Sequence, residues 1–240
     1  MTHAPVLHSE WLKIRTLRSL PAALLALFAV TTAFSALAGA DGADDPESDP
    51  HITALSGVLP GQIAAVSFGA LAMAAEYRGG ALRLSLAAVP RRGLWFAAKA
   101  TAVAVPVLLT GLVTAVAALG AARARGGAAD GLTGSEQARA IVGCAVYLML
   151  MALFAAGLTA VLRSGVAALS VLVPFILVVS FVVGDSVGTV ADFLPDKAGQ
   201  TVLHRTYDGS LGPWSGLAVT ALWTAAAVAA GAWCVRRRDT

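Results

Sequence analysis

Six long stretches of this 240-residue chain carry no internal Asp, Glu, Lys, Arg or His, and this feature limits the possible folds most. A helix needs about 20 apolar residues to cross the roughly 30 Å hydrocarbon core of a membrane. Charged residues make up only 13% of the chain, whereas soluble domains carry about 25%. The sequence therefore predicts an all-α membrane protein with six transmembrane helices. The predicted spans are residues 20–38, 58–75, 100–119, 141–162, 166–183 and 217–235.

The distribution of Lys and Arg between the loops predicts how the spans are oriented. With the N-terminus in the cytoplasm, most of the basic residues lie in cytoplasmic segments, as the positive-inside rule requires. The cytoplasmic residues are Lys13, Arg15, Arg18, Arg78, Arg83, Arg91, Arg92, Lys99, Arg163, Arg236, Arg237 and Arg238. The outer residues are Arg123, Arg125, Arg139, Lys197 and Arg205. We expect a multi-pass protein of the plasma membrane with both termini in the cytoplasm.

The first apolar run also imitates a cleavable signal peptide, because Ala38, Gly39 and Ala40 follow it like a cleavage site. Its apolar stretch of 19 residues is longer than the 7–15 residues or so that are usual in a signal peptide. The sequence therefore favours an uncleaved first span, so that residues 20–240 form one six-span transmembrane domain.

Residues 1–19, before the first span, are predicted to form an amphipathic helix on the cytoplasmic membrane surface. At 100° per residue, Leu7, Trp11, Ile14 and Leu17 fall within one arc, although Glu10 interrupts it. A tryptophan combined with basic residues suits the headgroup layer of the membrane. The residues assigned to this interfacial role are Trp11, Lys13, Arg15 and Arg18. The alternative is a plain positively charged anchor for the first span.

The cytoplasmic loop at residues 76–99 is much more polar than the spans that it joins. Gly79 and Gly80 allow the backbone to leave the second span, and Pro90 ends the short helix that the intervening residues predict. The apolar stripe of this helix is Leu82, Leu86 and Val89. Arg83 projects to another side, and an arginine fork suits a partner's carboxylates or lipid phosphates. If these arginines fixed only the topology, Glu76 and the paired glycines would have no explanation.

The longest outer connection, residues 184–216, is too apolar for a fully solvated loop. We expect part of it to dip into the membrane, where surrounding protein shelters it. His204, within this loop, is interpreted as an interface residue rather than a ligand or a proton carrier. Cys144 and Cys234 are interpreted as buried, inert thiols.

Several classes of function lack their motifs in this sequence. There is no G-x-x-x-x-G-K-[ST] loop for ATP phosphates, no G-x-S-x-G and no H-E-x-x-H, and the Cys and His spacings do not resemble a metal site. The sequence therefore predicts no catalytic residue, no metal and no cofactor bound by this chain. The predicted spans contain no ionisable residue, which disfavours ion-coupled transport, since Glu76 and Asp185 only flank the span ends.

Three segments resemble the permease subunits of ABC-2 type transporters, the membrane-spanning components of ATP-binding-cassette exporters. The loop pattern E-Y-R-x-G-x-x-R-x-x-L-x-A-x-P-R-R is similar to the cytoplasmic loop of that family, and S-E-W-x-K-I-R-T-L-R-S is similar to its N-terminal segment. Leu194-Pro195 followed by Ala198-Gly199 is similar to the stretch before its last span. The resemblance extends over the whole chain.

The resemblance implies a partner and a role for the loop. In that family two six-span halves pair, and each rests on a separate P-loop ATPase subunit that binds ATP and magnesium. The second half is either a second copy of the same chain, which forms a homodimer, or a paralogous permease. Membrane lipid surrounds both halves, and the resemblance implies no nucleic acid partner. Carried over by position, the ATPase-coupling region is Glu76, Tyr77, Arg78, Gly80, Arg83, Leu86, Pro90, Arg91 and Arg92.

The expected function is therefore export of a hydrophobic or amphiphilic substrate, driven by ATP that the partner hydrolyses. A highly charged substrate is disfavoured, because no charge within the predicted spans would pair with it. Two alternatives stay open: a non-transporting regulatory or immunity partner with the same fold, and an ion-coupled secondary carrier. The substrate-binding residues are not identified by the sequence.

Overall fold

The structure is a computed structural model that describes residues 3–41, 53–124, 133–179, 188–205 and 210–237. Within these ranges the regular secondary structure is helical and contains no β-strand. The α-helices are α1 (His3–Thr16), α2 (Ser19–Asp41), α3 (Val58–Ala74), α4 (Ala81–Ala88), α5 (Arg92–Ala124), α6 (Gly134–Leu162), α7 (Gly165–Pro174), α8 (Pro195–Gln200) and α9 (Pro213–Arg237). Short 3₁₀ turns occupy Ala75–Tyr77, Gly188–Phe193 and Thr201–Leu203.

Five helices of the described residues are long and apolar enough to cross a membrane. They are Ser19–Ala38, Val58–Tyr77, Arg92–Ala124, Gly134–Leu162 and Pro213–Arg237. Each contains one of the predicted spans, and several continue past it, because a helix can extend into the aqueous layers with polar residues at its ends. This architecture is compatible with a multi-pass membrane protein.

The fifth predicted span, residues 166–183, corresponds to a shorter apolar helix at Gly165–Val178. Helix α7 ends at Pro174 and continues as a π-helical turn at Phe175–Val179. Proline removes one backbone donor and crowds the preceding turn, so a local change of helical hydrogen bonding near it is expected. Residues 180–183 of the predicted span lie outside the described residues.

Helix α6 lies at the centre and packs against α3, α5 and α9, while α2 packs against α3 and α5. Small residues allow these helices to approach closely, as is usual where apolar helices meet in a membrane. A Cβ atom added to Gly69 of α3 would overlap the backbone of Ala152 of α6. A Cβ added to Gly157 of α6 would lie only 2.6 Å from the carbonyl carbon of Ala227.

We expect Gly69→Ala to lower the free energy of unfolding by about 1–3 kcal/mol, because the added methyl group forces the backbones of α3 and α6 apart. Gly120→Ala is the matched control: Gly120 is also helical, but a Cβ there meets no atom within 4 Å. The control should be neutral or stabilising by up to about 1 kcal/mol, because alanine favours the helix. Unfolding midpoints in mild detergent check both, and equal effects would contradict close packing at Gly69.

The segment at residues 188–205, which belongs to the predicted outer loop, packs against protein. Val202 contacts Gly143 of α6, Gly199 lies against Tyr147, and Ala198 lies against Gly216 of α9. Most of Pro195–Leu203 is buried. Residues 184–187 and 206–209 of the predicted outer loop lie outside the described residues.

Polar contacts hold this segment to the beginning of α6. Arg139 donates hydrogen bonds to the carbonyl oxygens of His204 and Arg205, at 3.3 and 3.1 Å. Arg205 forms an ion pair of 2.9 Å with Glu136, whose carboxylate also completes the N-terminal capping box of α6 with Thr133. Arg139 and Arg205, which the predicted orientation places among the outer basic residues, therefore have structural partners.

Candidate functional site

Four charged side chains form a closed ring at one end of the helix bundle. We call Glu10 and Lys13 of α1, Glu76 at the end of α3 and Lys99 of α5 the ionic ring. Each lysine contacts both carboxylates, so the charges balance. Glu10, Glu76 and Lys99 have side chains only 2%, 1% and 4% exposed, whereas Lys13 is 33% exposed. The ring therefore reaches solvent mainly through Lys13.

The distances within the ionic ring are those of charge-assisted hydrogen bonds. Lys99 Nζ lies 2.8 Å from Glu10 Oε2 and 2.6 Å from Glu76 Oε1. Lys13 Nζ lies 2.8 Å from Glu10 Oε1 and 2.9 Å from Glu76 Oε1. A buried charge is tolerated in a protein only when it is paired in this way.

Helix α1 turns Glu10 towards the bundle. Val6, Glu10 and Ile14 are buried at successive turns, while Leu7 and Trp11, of the predicted apolar arc, are 37% and 38% exposed. The burial of Glu10 was not predicted from the sequence, where it only interrupts that arc. Glu10 lies on the buried side because Lys13 and Lys99 pair with it, which a pattern based on hydropathy alone does not register.

Glu76 is also more deeply buried than the sequence suggests. It lies in the 3₁₀ turn Ala75–Tyr77 that continues α3, and it is 1% exposed. Water therefore does not solvate the Glu76 carboxylate, although the residue flanks the end of a predicted span. Pairing with Lys13 and Lys99 replaces the lost water. Asp185, the other acid at a span end, lies outside the described residues.

The short helix α4 is attached to the ionic ring through Ser85. Its hydroxyl group lies 3.2 Å from Glu76 Oε2 and 3.2 Å from Lys13 Nζ. Leu82 and Leu86 of α4 are buried, whereas Leu84 is 73% exposed. Gly80, at the N-cap, has a φ of 76°, in the left-handed region that glycine adopts without strain. The chain thus turns sharply after Glu76 and returns α4 to the ring.

The other predicted residues of the coupling region are divided between the surface and the bundle. Arg78, Arg83, Pro90 and Arg91 are exposed. Tyr77 donates a hydrogen bond to the carbonyl oxygen of Ala160, at the end of α6.

Arg92 has partners at the end of the last helix. It donates to the carbonyl oxygens of Val235 and Arg236, at 3.0 and 3.1 Å. Basic side chains stabilise the carbonyl end of a helix in this way, so Arg92 supports α9. Of the residues assigned to the interfacial helix, Trp11, Arg15 and Arg18 are exposed, and Lys13 belongs to the ionic ring.

Two members of the ionic ring, Glu10 and Lys99, were not assigned to a site by the sequence analysis. Lys99 was counted only as a topological charge of the cytoplasmic loop. Glu10 and Lys13 are three residues apart on one helix, a spacing that places them side by side, and this was the one local signal for the ring. The pairing of Glu10 with Lys99 joins residues 89 positions apart.

The two carboxylates also change the acid–base behaviour of Lys13. Burial alone lowers the pKa of Lys13, but hydrogen bonds and charge attraction from Glu10 and Glu76 outweigh it and raise the pKa above the ordinary value of 10.5. A lysine whose pKa is higher in the folded state stabilises that state below the unfolded pKa, and the stabilisation is lost as pH rises through the folded pKa.

We therefore expect the stability difference between the native chain and Lys13→Met to stay constant from about pH 7 to 9.5 and to shrink above about pH 10.5. Chemical unfolding of both proteins across this range measures it. A difference that grew with alkaline pH would contradict the ion pairs of Lys13.

Within the described ranges, no group of three or more His, Cys, Asp and Glu side chains could hold a metal ion. Cys144 and Cys234 are both buried and are not joined in a disulfide. His204 is half-buried in the outer segment, where its carbonyl oxygen accepts a hydrogen bond from Arg139.

The chain matches no model of a known protein family and no curated protein.

Proposed function

We propose that this chain is the membrane-spanning permease subunit of an ABC exporter, in which a separate P-loop ATPase subunit supplies the energy. Six helices cross the plasma membrane with both termini in the cytoplasm, and α7 with the residues after it forms the fifth. Two such chains, identical or paralogous, enclose the export path. The substrate is hydrophobic or amphiphilic.

The ionic ring is the observation that supports this proposal most directly. A permease without its own ATPase site must convert a push on its cytoplasmic surface into movement of its spans. The ring joins α1, the end of α3 and the beginning of α5 through buried ion pairs, and Ser85 attaches α4 to it. A displacement of α4 is therefore transmitted to three helices at once rather than absorbed by a flexible loop.

The exposed side of α4 and its flanks supplies a surface for the ATPase. Leu84 and Arg83 of α4 are exposed, as are Arg78 and Arg91 on its two flanks and Arg163, between α6 and α7. Arg83 and Arg163 line one cavity of about 340 Å³ with Tyr77. An exposed leucine on a short helix with arginines beside it suits a partner groove with an apolar floor and acidic rim.

In this proposal α1 lies along the cytoplasmic membrane surface. Leu7 and Trp11 are partly exposed on one side and line an apolar groove with Ala102 and Val105 of α5, while Arg15 and Arg18 are exposed. Amphipathic helices with this composition bind the boundary between headgroups and acyl chains. The lipid contact and the ionic ring would together fix the angle of α1.

The test is purification of the tagged chain in mild detergent, followed by mass spectrometry of the proteins bound to it and by efflux measurements in proteoliposomes. We expect a stoichiometric P-loop ATPase and ATP-dependent efflux of an amphiphilic dye. An ATPase that binds without any efflux would indicate the regulatory alternative. Transport that follows a proton gradient in the absence of an ATPase would indicate a secondary carrier.

A further inference from the structure

A second polar site lies at the opposite end of α3 from the ionic ring. It is a cavity of about 590 Å³ between the end of α2, the beginning of α3, the end of α7 and the region of α8. Gln62, in its wall, precedes Glu76 by 14 residues, which corresponds to about 21 Å along a helix. The volume falls within the range of about 300–1,000 Å³ that is typical of small-molecule sites.

The cavity has an apolar wall. Phe34 of α2, Leu59 and Pro60 of α3, and Ile176 and Leu177 beyond α7 contribute to it. Their side chains offer only dispersion contacts and an escape from water for a ligand's hydrocarbon part.

The other wall carries buried polar groups. Asp196 and Gln62 are 1% and 3% exposed, and Lys197, next to Asp196, is half-buried. The hydroxyl oxygen of Ser56 is buried and has no hydrogen-bond partner among the described residues. An unsatisfied buried hydroxyl costs about 1–3 kcal/mol, and a ligand or water in the cavity would satisfy it.

The polar wall is held in position from behind by Tyr147 of α6. The Tyr147 hydroxyl donates to the side-chain oxygen of Gln62, and the amide of Gln200 donates to the same hydroxyl at 3.4 Å. These contacts fix polar groups from α3 and α8 relative to one another before any ligand is present, which lowers the entropic cost of binding.

We propose that this cavity binds a single-chain amphiphile with a zwitterionic head. The cationic part of the head pairs with Asp196, the anionic part pairs with Lys197, and the chain lies along Phe34, Leu59 and Ile176. A purely cationic or purely anionic head would meet one attractive and one repulsive charge in neighbouring positions. That this amphiphile is the exported substrate rests on the proposed function, whereas its binding to the cavity does not.

The test uses cysteine labelling of Leu59→Cys, a partly exposed position in the cavity wall, in the full-length chain, in nanodiscs of anionic phosphatidylglycerol. Cys144 and Cys234 are buried, so a small water-soluble maleimide should give little background. Palmitoyl lysophosphatidylcholine is the zwitterionic probe, palmitoyl lysophosphatidylglycerol the anionic one and hexadecyltrimethylammonium the cationic one. All three carry a 16-carbon chain, so that the heads alone are compared.

We expect the zwitterionic probe to slow the labelling of Leu59→Cys by about 5-fold or more, and the other two probes by less than about 2-fold. The control is Ser215→Cys, an exposed position at the beginning of α9 outside the cavity, whose labelling should not change. Equal protection by all three probes, protection at both positions, or no protection would overturn the proposed ligand class.

Asp196→Asn and Lys197→Met, each combined with Leu59→Cys, test the two charges separately. Each should reduce protection by the zwitterionic probe to less than about 2-fold, while the labelling rate without ligand stays the same and shows that the cavity is intact. Unchanged protection in both variants would contradict the assigned roles. If the labelling experiments fail but an ATPase co-purifies, the ligand class is wrong and the exporter proposal stands. If the labelling experiments succeed but no ATPase co-purifies, the binding site stands and the exporter proposal does not.

Discussion

Lys99→Met should lower the free energy of unfolding by about 3–5 kcal/mol, the usual effect of removing one partner from a buried ion pair. Methionine fills a similar volume, so the loss arises from charge and not from packing. Without Lys99, the carboxylates of Glu10 and Glu76 are 2% and 1% exposed and share the single cation Lys13. Chemical unfolding of the purified chain in mild detergent measures the effect.

The double variant Lys99→Met/Glu76→Gln separates charge imbalance from other damage. Removing one carboxylate together with one ammonium restores the balance between Glu10 and Lys13, so we expect at least half of the lost stability to return. Arg91→Met, at an exposed position just before α5, is the control and should change stability by less than about 0.5 kcal/mol. If the two ring substitutions simply added, the ring would not be a coupled unit.

The long apolar helices were predictable because their signal is local and long. Five of the six apolar runs lie within helices of the described residues that are long enough to span a membrane. The helix ends were not predictable from the same signal. Helix α5 begins at Arg92, eight residues before the predicted span. The apolar run that defines a span does not indicate how far the helix continues beyond it. The turn at Pro174 was likewise not anticipated.

The ionic ring was only half predictable, for a physical reason. Glu76 was singled out because a carboxylate among glycines and arginines is conspicuous in the sequence. Its partner Lys99 is 23 residues away and Glu10 is 89 residues from Lys99, so only the packing of α1 against α5 brings them together. Hydropathy also does not indicate that the four charges are buried, because a buried balanced ring and four solvated charges have the same sequence pattern.

Helix α3 carries a different fixed polar group at each of its two ends. At one end, Glu76 is fixed by two ammonium groups, and at the other, Gln62 is fixed by the hydroxyl of Tyr147. A rigid helix with an anchored group at each end transmits displacement along its axis with little loss. In the proposed exporter, α3 therefore links the surface that meets the ATPase to the cavity that receives the amphiphile.

Leu84→Asp should reduce the amount of co-purifying ATPase by at least about 10-fold, which corresponds to about 1.4 kcal/mol of binding free energy. Leu84 is 73% exposed on α4 between the buried Leu82 and Leu86, so the substitution leaves the contact of α4 with the bundle intact. An aspartate at this exposed position of α4 would lose the apolar contact with the proposed ATPase groove and would repel the acidic rim proposed for that groove.

Two further variants show whether the loss arises at this surface. Arg83→Ala, also exposed on α4, should weaken ATPase binding by about 3- to 10-fold and make what remains less sensitive to salt. The control is Ser215→Asp, at a position that is exposed at the beginning of α9. It should leave the yield of ATPase unchanged. If Leu84→Asp retained the ATPase at the native yield while the chain stayed abundant, α4 would not be the docking helix, and the arginines around it would serve only to set the topology.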